Sequence, residues 1–168
     1  GRIALRLALA HPDRIRRLVL VSTTAGIDDP EARAARRAAD EALADRIERE
    51  PLAAFVRRWR DQTLFAAEPD AVRAAAAADQ LRNTTAGLAA ALRGLGTGTM
   101  EPVWDRLDEL RMPATVLVGE RDEKFVSLGR RLAERLPAAT IEIVPGVGHG
   151  ILREAPARVA AALAADPG

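Results

Sequence analysis

The 168-residue sequence contains no cysteine. This absence excludes disulfides, thiolate metal sites and a cysteine nucleophile. The two histidines, His11 and His149, lie far apart in the sequence, which argues against a His-rich metal site. No apolar run approaches the roughly 20 residues that a membrane-spanning helix needs. We therefore predict no metal, no cofactor and no membrane partner.

An excess of charge of one sign is also missing. The 25 Lys and Arg residues against 24 Asp and Glu residues leave a formal net charge of +1. The sequence thus gives no electrostatic reason to expect nucleic acid or an anionic membrane surface as a partner. Lys124 is the only lysine, whereas arginine and alanine are abundant. A biased genome explains that composition, so an arginine needs positional evidence before it is assigned a function.

The first residues, Gly-Arg-Ile-Ala-Leu, include no initiator methionine and do not have the profile of a signal peptide. They are typical of the middle of a helix-forming segment. We therefore expect the sequence to be incomplete at its N-terminus. The expected location is the cytoplasm, and no oligomeric state is predicted.

Short apolar runs predict three strands of an α/β fold, at residues 18–22, 114–118 and 140–144. Unbroken apolar runs of this length are typical of strands buried on both faces of a parallel sheet. Helical patterns accompany them at Ile3–Ala10, at about Val126–Leu136 and at Ala157–Ala164. This alternation indicates βαβ units and three parallel strands with flanking helices.

Only helical patterns occur between the first two predicted strands, from about Pro30 to Leu110. An all-helical insertion at this place is typical of a lid over the carboxyl ends of the strands, where such sheets bind ligands. We therefore predict one domain with a core of residues 1–29 and 111–168 and a helical lid of residues 30–110. Three of the five aromatic residues lie close together in the sequence within this lid: Phe55, Trp59 and Phe65.

Two chemically useful side chains follow consecutive predicted strands. Asp122 comes after the strand that ends at Gly119, and His149 comes 27 residues later, after the strand that ends near Val144. A carboxylate so placed orients an imidazole and stabilises its protonated form, while the other ring nitrogen faces a nucleophile. Taken alone, Asp122 could be a solvated loop residue and His149 could be a loop residue that caps a helix. Together, at neighbouring strand ends, they favour a catalytic acid–histidine pair.

The chain resembles the α/β-hydrolase superfamily, in which serine, acid and histidine follow in this order. Ala10–Val21 is similar to the segment after that superfamily's nucleophile elbow, G-x-S-x-G, and Gly1 matches the end of the elbow or the small residue after it. The resemblance implies a structural role for His11 and a serine located before Gly1. It also implies the C-terminal part of the fold, without the first half of the sheet and part of the oxyanion hole.

A closer resemblance is to the 2-succinyl-6-hydroxy-2,4-cyclohexadiene-1-carboxylate synthase family of menaquinone biosynthesis. Gly119–Phe125 is similar to the sequence around that family's acid, and Trp59–Phe65 resembles its lid motif W-x-x-Q-P-[LV]-F, with Thr63 in place of proline. Further similar stretches extend the resemblance over almost the whole chain: Leu81–Asn83, Gly87–Gly98 and Pro102–Trp104.

The resemblance implies a carbon–oxygen lyase that removes a proton from an enolpyruvyl-cyclohexene carboxylate and expels pyruvate. Asp122 would orient His149, and His149 would activate the serine. Arg2, Arg82 and Trp59 match positions that line the family's pocket for a small anionic substrate. Residues 1–168 alone are expected to be inactive, because they lack the serine.

Arg2 also has physical support as a binding residue. A cation in the first turn of a helix opposes the macrodipole, whereas beside an anionic substrate it forms charge-assisted hydrogen bonds. Arg82 lies at a predicted helix end, and Trp59 also fits the core of the lid. Lys124 and Phe125 fit a role in shaping the acid loop.

Two other functions stay open at this point. A hydrolase of a small ester or lactone would have the same sheet and the same Asp–His pair, so only the lid and acid-loop motifs favour the lyase. A non-catalytic binding module of the same fold is the third alternative. The presence of both Asp122 and His149 argues against the binding module.

Overall fold

The computed structural model describes residues 1–66 and 68–165. Its elements follow in the order α1 (Arg2–Ala10), β1 (Leu18–Val21), α2 (Pro30–Arg49), α3 (Leu52–Arg60), α4 (Asp70–Gln80), α5 (Thr85–Leu95), β2 (Ala114–Gly119), α6 (Glu123–Arg135), β3 (Ala139–Val144), α7 (Ile151–Glu154) and α8 (Pro156–Ala164). Short 3₁₀ turns occur at Pro12–Arg14, Thr63–Phe65 and Trp104–Glu109. No helix of the described residues is long and apolar enough to cross a membrane.

The described residues form two compact units. One contains Gly1–Ala25 and the described residues from Val103 onward, and the other is Gly26–Pro102. The predicted core and lid were divided near residues 30 and 110, and their assignment as one domain with a lid stays a prediction. Ala67 and residues 166–168, which the predicted lid and core include, lie outside the described residues.

The first unit contains a parallel sheet in the order β1-β2-β3, which confirms the predicted α/β fold class. Leu20 pairs with Val116 in β2, and Val116 pairs with Ile141 in β3. Because the strands are parallel and neighbouring, the residues that follow β2 and β3 leave the sheet at the same edge.

The two faces of the sheet pack into separate apolar clusters, because successive side chains of a strand point to opposite faces. Leu20 and Val118 belong to a cluster that also holds Leu5 of α1 and Leu132 of α6. On the opposite face, a second cluster contains buried residues of β2, β3, α7 and α8: Leu117, Val144, Ile151, Val159 and Ala162. Helices therefore cover both faces, as the unbroken apolar runs predicted.

The prediction that the third strand is buried on both faces was wrong. Among its residues only Val144 is fully buried, while Thr140 is exposed and Glu142 is partly exposed. Glu142 instead forms an ion pair with Arg158 of α8, with 3.0 Å between its Oε1 and the arginine Nε. In the described chain β3 pairs only with β2, and a strand at a sheet edge buries less surface than a central one.

The second unit is all helical and has its own small core. Ile47 of α2 and Phe55 and Val56 of α3 are buried there, and Trp59 packs against this cluster. Three carboxylates of α2 bind the guanidinium of Arg93 on α5 at 2.7 to 2.8 Å: Glu41, Asp45 and Glu48. Hydrogen bonds to Glu48, Glu41 and Asp45 raise the pKa of Arg93, and the bond from Arg93 lowers the pKa of Glu48.

We expect Arg93→Ala to lower the Tm of the full-length protein, because it leaves three like charges on successive turns of α2. The loss should shrink in high salt, since salt screens exposed charges. Because the folded-state pKa of Glu48 is lowered, its stabilising contribution is present above the ordinary glutamate pKa and is lost as the pH falls through the lowered value. Thermal unfolding at two salt concentrations and across acidic pH measures both effects.

The matched control is Arg106→Ala, which removes an exposed arginine that binds one carboxylate, Glu109. An equal loss of Tm in both variants, unaffected by salt, would contradict the special role of Arg93.

Candidate active site

Asp122 lies in the turn between β2 and α6, and only 8% of its surface is exposed. Its Oδ1 accepts a hydrogen bond from the backbone N–H of Phe125 at 3.3 Å, so the carboxylate caps the first turn of α6. Its Oδ2 lies 2.6 Å from Nδ1 of His149. One buried carboxylate therefore begins a helix and holds the histidine ring.

This cap explains a difference from the predicted helix. The apolar periodicity placed its start at about Val126, whereas α6 begins at Glu123, directly after Asp122. The acid loop is consequently short, and the carboxylate is fixed by the helix that follows it.

The loop after β3 brings His149 to the acid. The backbone N–H of Arg121 donates to the carbonyl of Val147 at 2.9 Å, which joins the acid loop to the histidine loop. Gly146 has a φ of +67°, a conformation that favours glycine, and its N–H donates to Oε2 of Glu120 at 2.7 Å. These contacts fix the loop between β3 and His149.

Gly119, the last residue of β2, makes this approach sterically possible. A Cβ at this position would lie 2.0 Å from the carbonyl oxygen of Gly148 and 2.5 Å from that of Val147. Any larger residue would therefore push the backbone of the histidine loop away from the strand.

The imidazole of His149 contacts a carboxylate through one nitrogen and packs against an aromatic ring. Nδ1 contacts Asp122, and the Phe125 ring packs on the imidazole with 4.5 Å between the ring centroids. The side chain is 24% exposed, so the ring is reachable from solvent. Nε2 is then the nitrogen that can serve proton transfer, and a general base held by a carboxylate has this arrangement.

The other predicted site residues are distributed over both units. Arg2 is the first residue of α1 in the first unit and is partly buried. Gly1 precedes it, and a Cβ on Gly1 would lie 2.2 Å from Oγ1 of Thr23, so the start of α1 packs closely against the segment after β1. Such close packing explains why a small residue stands there.

Trp59 and Arg82 belong to the second unit. Trp59 is partly buried beside Phe55 and Phe65, with ring centroids 5.7 and 6.4 Å away. The Arg82 side chain is 83% exposed, and its Nη1 lies 3.8 Å from Oδ1 of Asp79. The structure thus brings Asp122 and His149 together, while the substrate contacts of Arg2, Trp59 and Arg82 stay predictions.

Sequence reasoning missed the contacts that hold the pair in place. The capping role of Asp122 and the packing of Phe125 on His149 were not predicted, and Gly119 was noted only as a strand end. The signal available for Asp122 was its residue type, because aspartate is favoured at the N-cap of a helix. The described residues hold no group of three or more His, Cys, Asp or Glu side chains that could bind a metal ion.

A parallel sheet with helices on both faces, carrying an acid after one strand and a histidine after the next, defines an α/β-hydrolase fold. The family model described as "Serine aminopeptidase, S33" matches residues 1–156. The chain belongs to this family.

Among named relatives, the chain is 38% identical over 159 residues to a putative 2-succinyl-6-hydroxy-2,4-cyclohexadiene-1-carboxylate synthase of Bacillus subtilis, a match that covers 93% of the chain and 58% of the relative. The structure is similar to that of MenH from S. aureus, with a TM-score of 0.87 and 30% identity over 95% of the chain and 62% of that protein. It is also similar to a thermophilic esterase from Thermogutta terrifontis, determined with malate bound, with a TM-score of 0.77 and 27% identity over 97% of the chain and 59% of the esterase. The chain therefore spans about three fifths of the length of each of these proteins.

Proposed function

We propose that the protein is a lyase that eliminates pyruvate from an enolpyruvyl-cyclohexene carboxylate to give 2-succinyl-6-hydroxy-2,4-cyclohexadiene-1-carboxylate in menaquinone biosynthesis. The observation that carries the proposal is the 2.6 Å contact of His149 with Asp122, the acid of the Gly119–Phe125 motif that resembles the synthase family. The synthase name of the Bacillus subtilis relative, which matches 93% of the chain, supports it.

In the proposed reaction, Asp122 and His149 carry out proton transfer. Asp122 fixes the imidazole so that Nε2 accepts the proton of a serine hydroxyl, and the activated serine removes a proton from the substrate ring. The electron pair of that C–H bond forms a new double bond, and the C–O bond to the enolpyruvyl group breaks. Pyruvate leaves as its enolate and takes its proton from the imidazolium, which returns His149 to the neutral form. The carboxylate of Asp122 stabilises the imidazolium in between.

The experiment that tests this function is an assay of the full-length gene product with the enolpyruvyl-cyclohexene carboxylate, following pyruvate release. His149→Ala serves as the inactive reference. Pyruvate release that depends on His149 supports the lyase, whereas turnover of esters without pyruvate release overturns it. Residues 1–168 expressed alone should release no pyruvate, because the proposed mechanism needs a serine that they do not supply.

The partner we propose is a small anionic substrate, held by Arg2 and Arg82 through charge-assisted hydrogen bonds to its carboxylates. Arg2→Ala and Arg82→Ala should each lower kcat/KM for this substrate by about 10- to 100-fold, the loss of one hydrogen bond between charged groups. Turnover of a neutral ester should change much less. Trp59 would supply an apolar contact to the same substrate. A cytoplasmic location belongs to the same proposal.

The control for these arginines is Arg111→Ala, which removes an exposed arginine outside the predicted site. Equal losses on the anionic and neutral substrates would show that Arg2 and Arg82 act structurally.

The second candidate function is hydrolysis of a small ester or lactone. The similarity to the Thermogutta terrifontis esterase at 27% identity favours it. The same Asp–His pair would then activate the serine for attack on a carbonyl. Assaying the full-length protein with both substrate classes separates the two candidates, because only the lyase releases pyruvate.

A further inference from the structure

A second carboxylate contacts the backbone on both sides of His149. The N–H of Gly148 donates to Oε2 of Glu154, and the N–H of Gly150 donates to Oε1, each at 3.0 Å. Hydrogen bonds from N–H groups to a carboxylate are charge-assisted and stronger than those between neutral groups. Glu154 thus binds the backbone N–H groups of the two glycines that flank the histidine.

The surroundings of Glu154 fix its carboxylate in turn. Glu154 ends α7, and its own N–H donates to the carbonyl of Gly150 at 2.9 Å. Ile151, in the first turn of the same helix, is fully buried and packs in the cluster that contains Val147. Apolar anchors therefore lie on both sides of His149, and the Glu154 carboxylate joins the polar backbone between them.

Gly148 leaves the space that this carboxylate occupies. A Cβ on Gly148 would lie 3.3 Å from Oε1 and 3.6 Å from Oε2 of Glu154, and Glu154 supplies each of the three nearest atoms. Gly148 therefore leaves room for the Glu154 carboxylate, and both glycines that flank His149 donate hydrogen bonds to it.

We propose that Glu154 is a positioning residue for His149: it sets the backbone of the histidine so that the imidazole meets Asp122. The inference rests on the proposed function to the extent that His149 is the catalytic base. A helix-capping role alone would need only the bond to Gly150, at the start of α7. The bond to Gly148 lies on the other side of His149 and serves the histidine itself.

The test variant is Glu154→Gln in the full-length gene product. Glutamine keeps the size of the side chain but replaces one acceptor oxygen with an NH₂ group, so one of the two backbone N–H groups loses its partner. We expect kcat to fall by about 10- to 100-fold, the cost of an unpaired N–H and a misplaced base, with KM unchanged. Glu109→Gln, which alters an exposed glutamate paired with Arg106, should leave kcat unchanged.

A proton NMR measurement reports directly on the hydrogen bond between His149 and Asp122. The Nδ1 proton of His149, hydrogen-bonded to Asp122, should give a far-downfield resonance in the wild type, and Asp122→Asn identifies it by abolishing it. Glu154→Gln should broaden or remove this resonance, because the ring no longer holds one position. An unchanged resonance together with an unchanged kcat overturns the proposal, as does a fall in Tm that accompanies an unchanged resonance.

Gly148→Ala keeps the proposal testable if Glu154→Gln does not fold. Its methyl group displaces the Glu154 carboxylate by a few tenths of an ångström and leaves the charge in place. A smaller fall in kcat with a broadened Nδ1 resonance supports the proposal, and wild-type values for both overturn it. The resonance and ester turnover do not depend on the lyase substrate, so failure of the proposed function remains distinguishable from failure of the role of Glu154.

Discussion

Replacing His149 with alanine should lower kcat of the full-length protein by about 10²- to 10⁴-fold, the usual contribution of a positioned general base. The Nδ1 atom of this imidazole is held by a buried carboxylate at 2.6 Å, and its Nε2 is the nitrogen left for proton transfer. KM should change little, because the ring acts on protons rather than on the substrate carboxylates. Steady-state kinetics on pyruvate release measures both constants.

Asp122→Asn tests the same pair by removing only the negative charge of the acid. Asparagine caps a helix as well as aspartate, so the amide oxygen can keep the bond from the Phe125 N–H that begins α6. The negative charge beside His149 is lost, and the imidazolium is no longer stabilised. We expect a fall in kcat as large as that of His149→Ala, with a Tm close to that of the wild type.

Asp122→Ala is the matched comparison, because it removes the cap as well as the charge. Its free energy of unfolding should fall by about 1 kcal/mol more than that of the asparagine variant. Near wild-type turnover in either variant would remove the Asp122–His149 pair from the mechanism.

The parts of the fold that the sequence predicted are those that depend on local patterns. The unbroken apolar runs at residues 18–22 and 114–118 predicted buried strands, and each face of β1 and β2 does pack in an apolar cluster. The third run has the same character but forms an edge strand, where Glu142 pairs with Arg158. Strand order depends on tertiary packing, so the run alone did not indicate that it was exposed.

In the candidate site, too, local sequence patterns predicted some contacts, while others depend on tertiary packing. The placement of Asp122 and His149 after consecutive strands was sufficient to predict their meeting, because parallel neighbouring strands end at one edge. The close approach of Gly119 to Gly148 depends on the path of a loop 29 residues later in the chain, which no local pattern specifies. The contacts of Glu154 with Gly148 and Gly150 depend on where a helix of one turn begins. Such short helices have weak sequence signals.

Gly119→Ala should damage the site without touching either member of the pair. The new methyl group would lie 2.0 Å from the carbonyl oxygen of Gly148, and backbone cannot turn away as a flexible side chain can. The histidine loop must therefore move off the end of β2 and carry His149 away from Asp122. We expect kcat to fall by at least about 100-fold, since a displacement of about 1 Å at a catalytic group has this effect. Overpacking should also cost about 1–3 kcal/mol in the free energy of unfolding.

Gly94→Ala provides the control, because it makes the same chemical change in α5, where a Cβ would meet no atom within 4 Å. This variant should keep its activity and should not lose free energy of unfolding, since Gly94 lies in the last turn of α5 and alanine favours a helix over glycine. Chemical denaturation and steady-state kinetics on both variants give the comparison, and the Nδ1 proton resonance of His149 reports the geometry of the pair. If Gly119→Ala keeps both the resonance and wild-type kcat, the approach of the histidine loop to the end of β2 does not position the base.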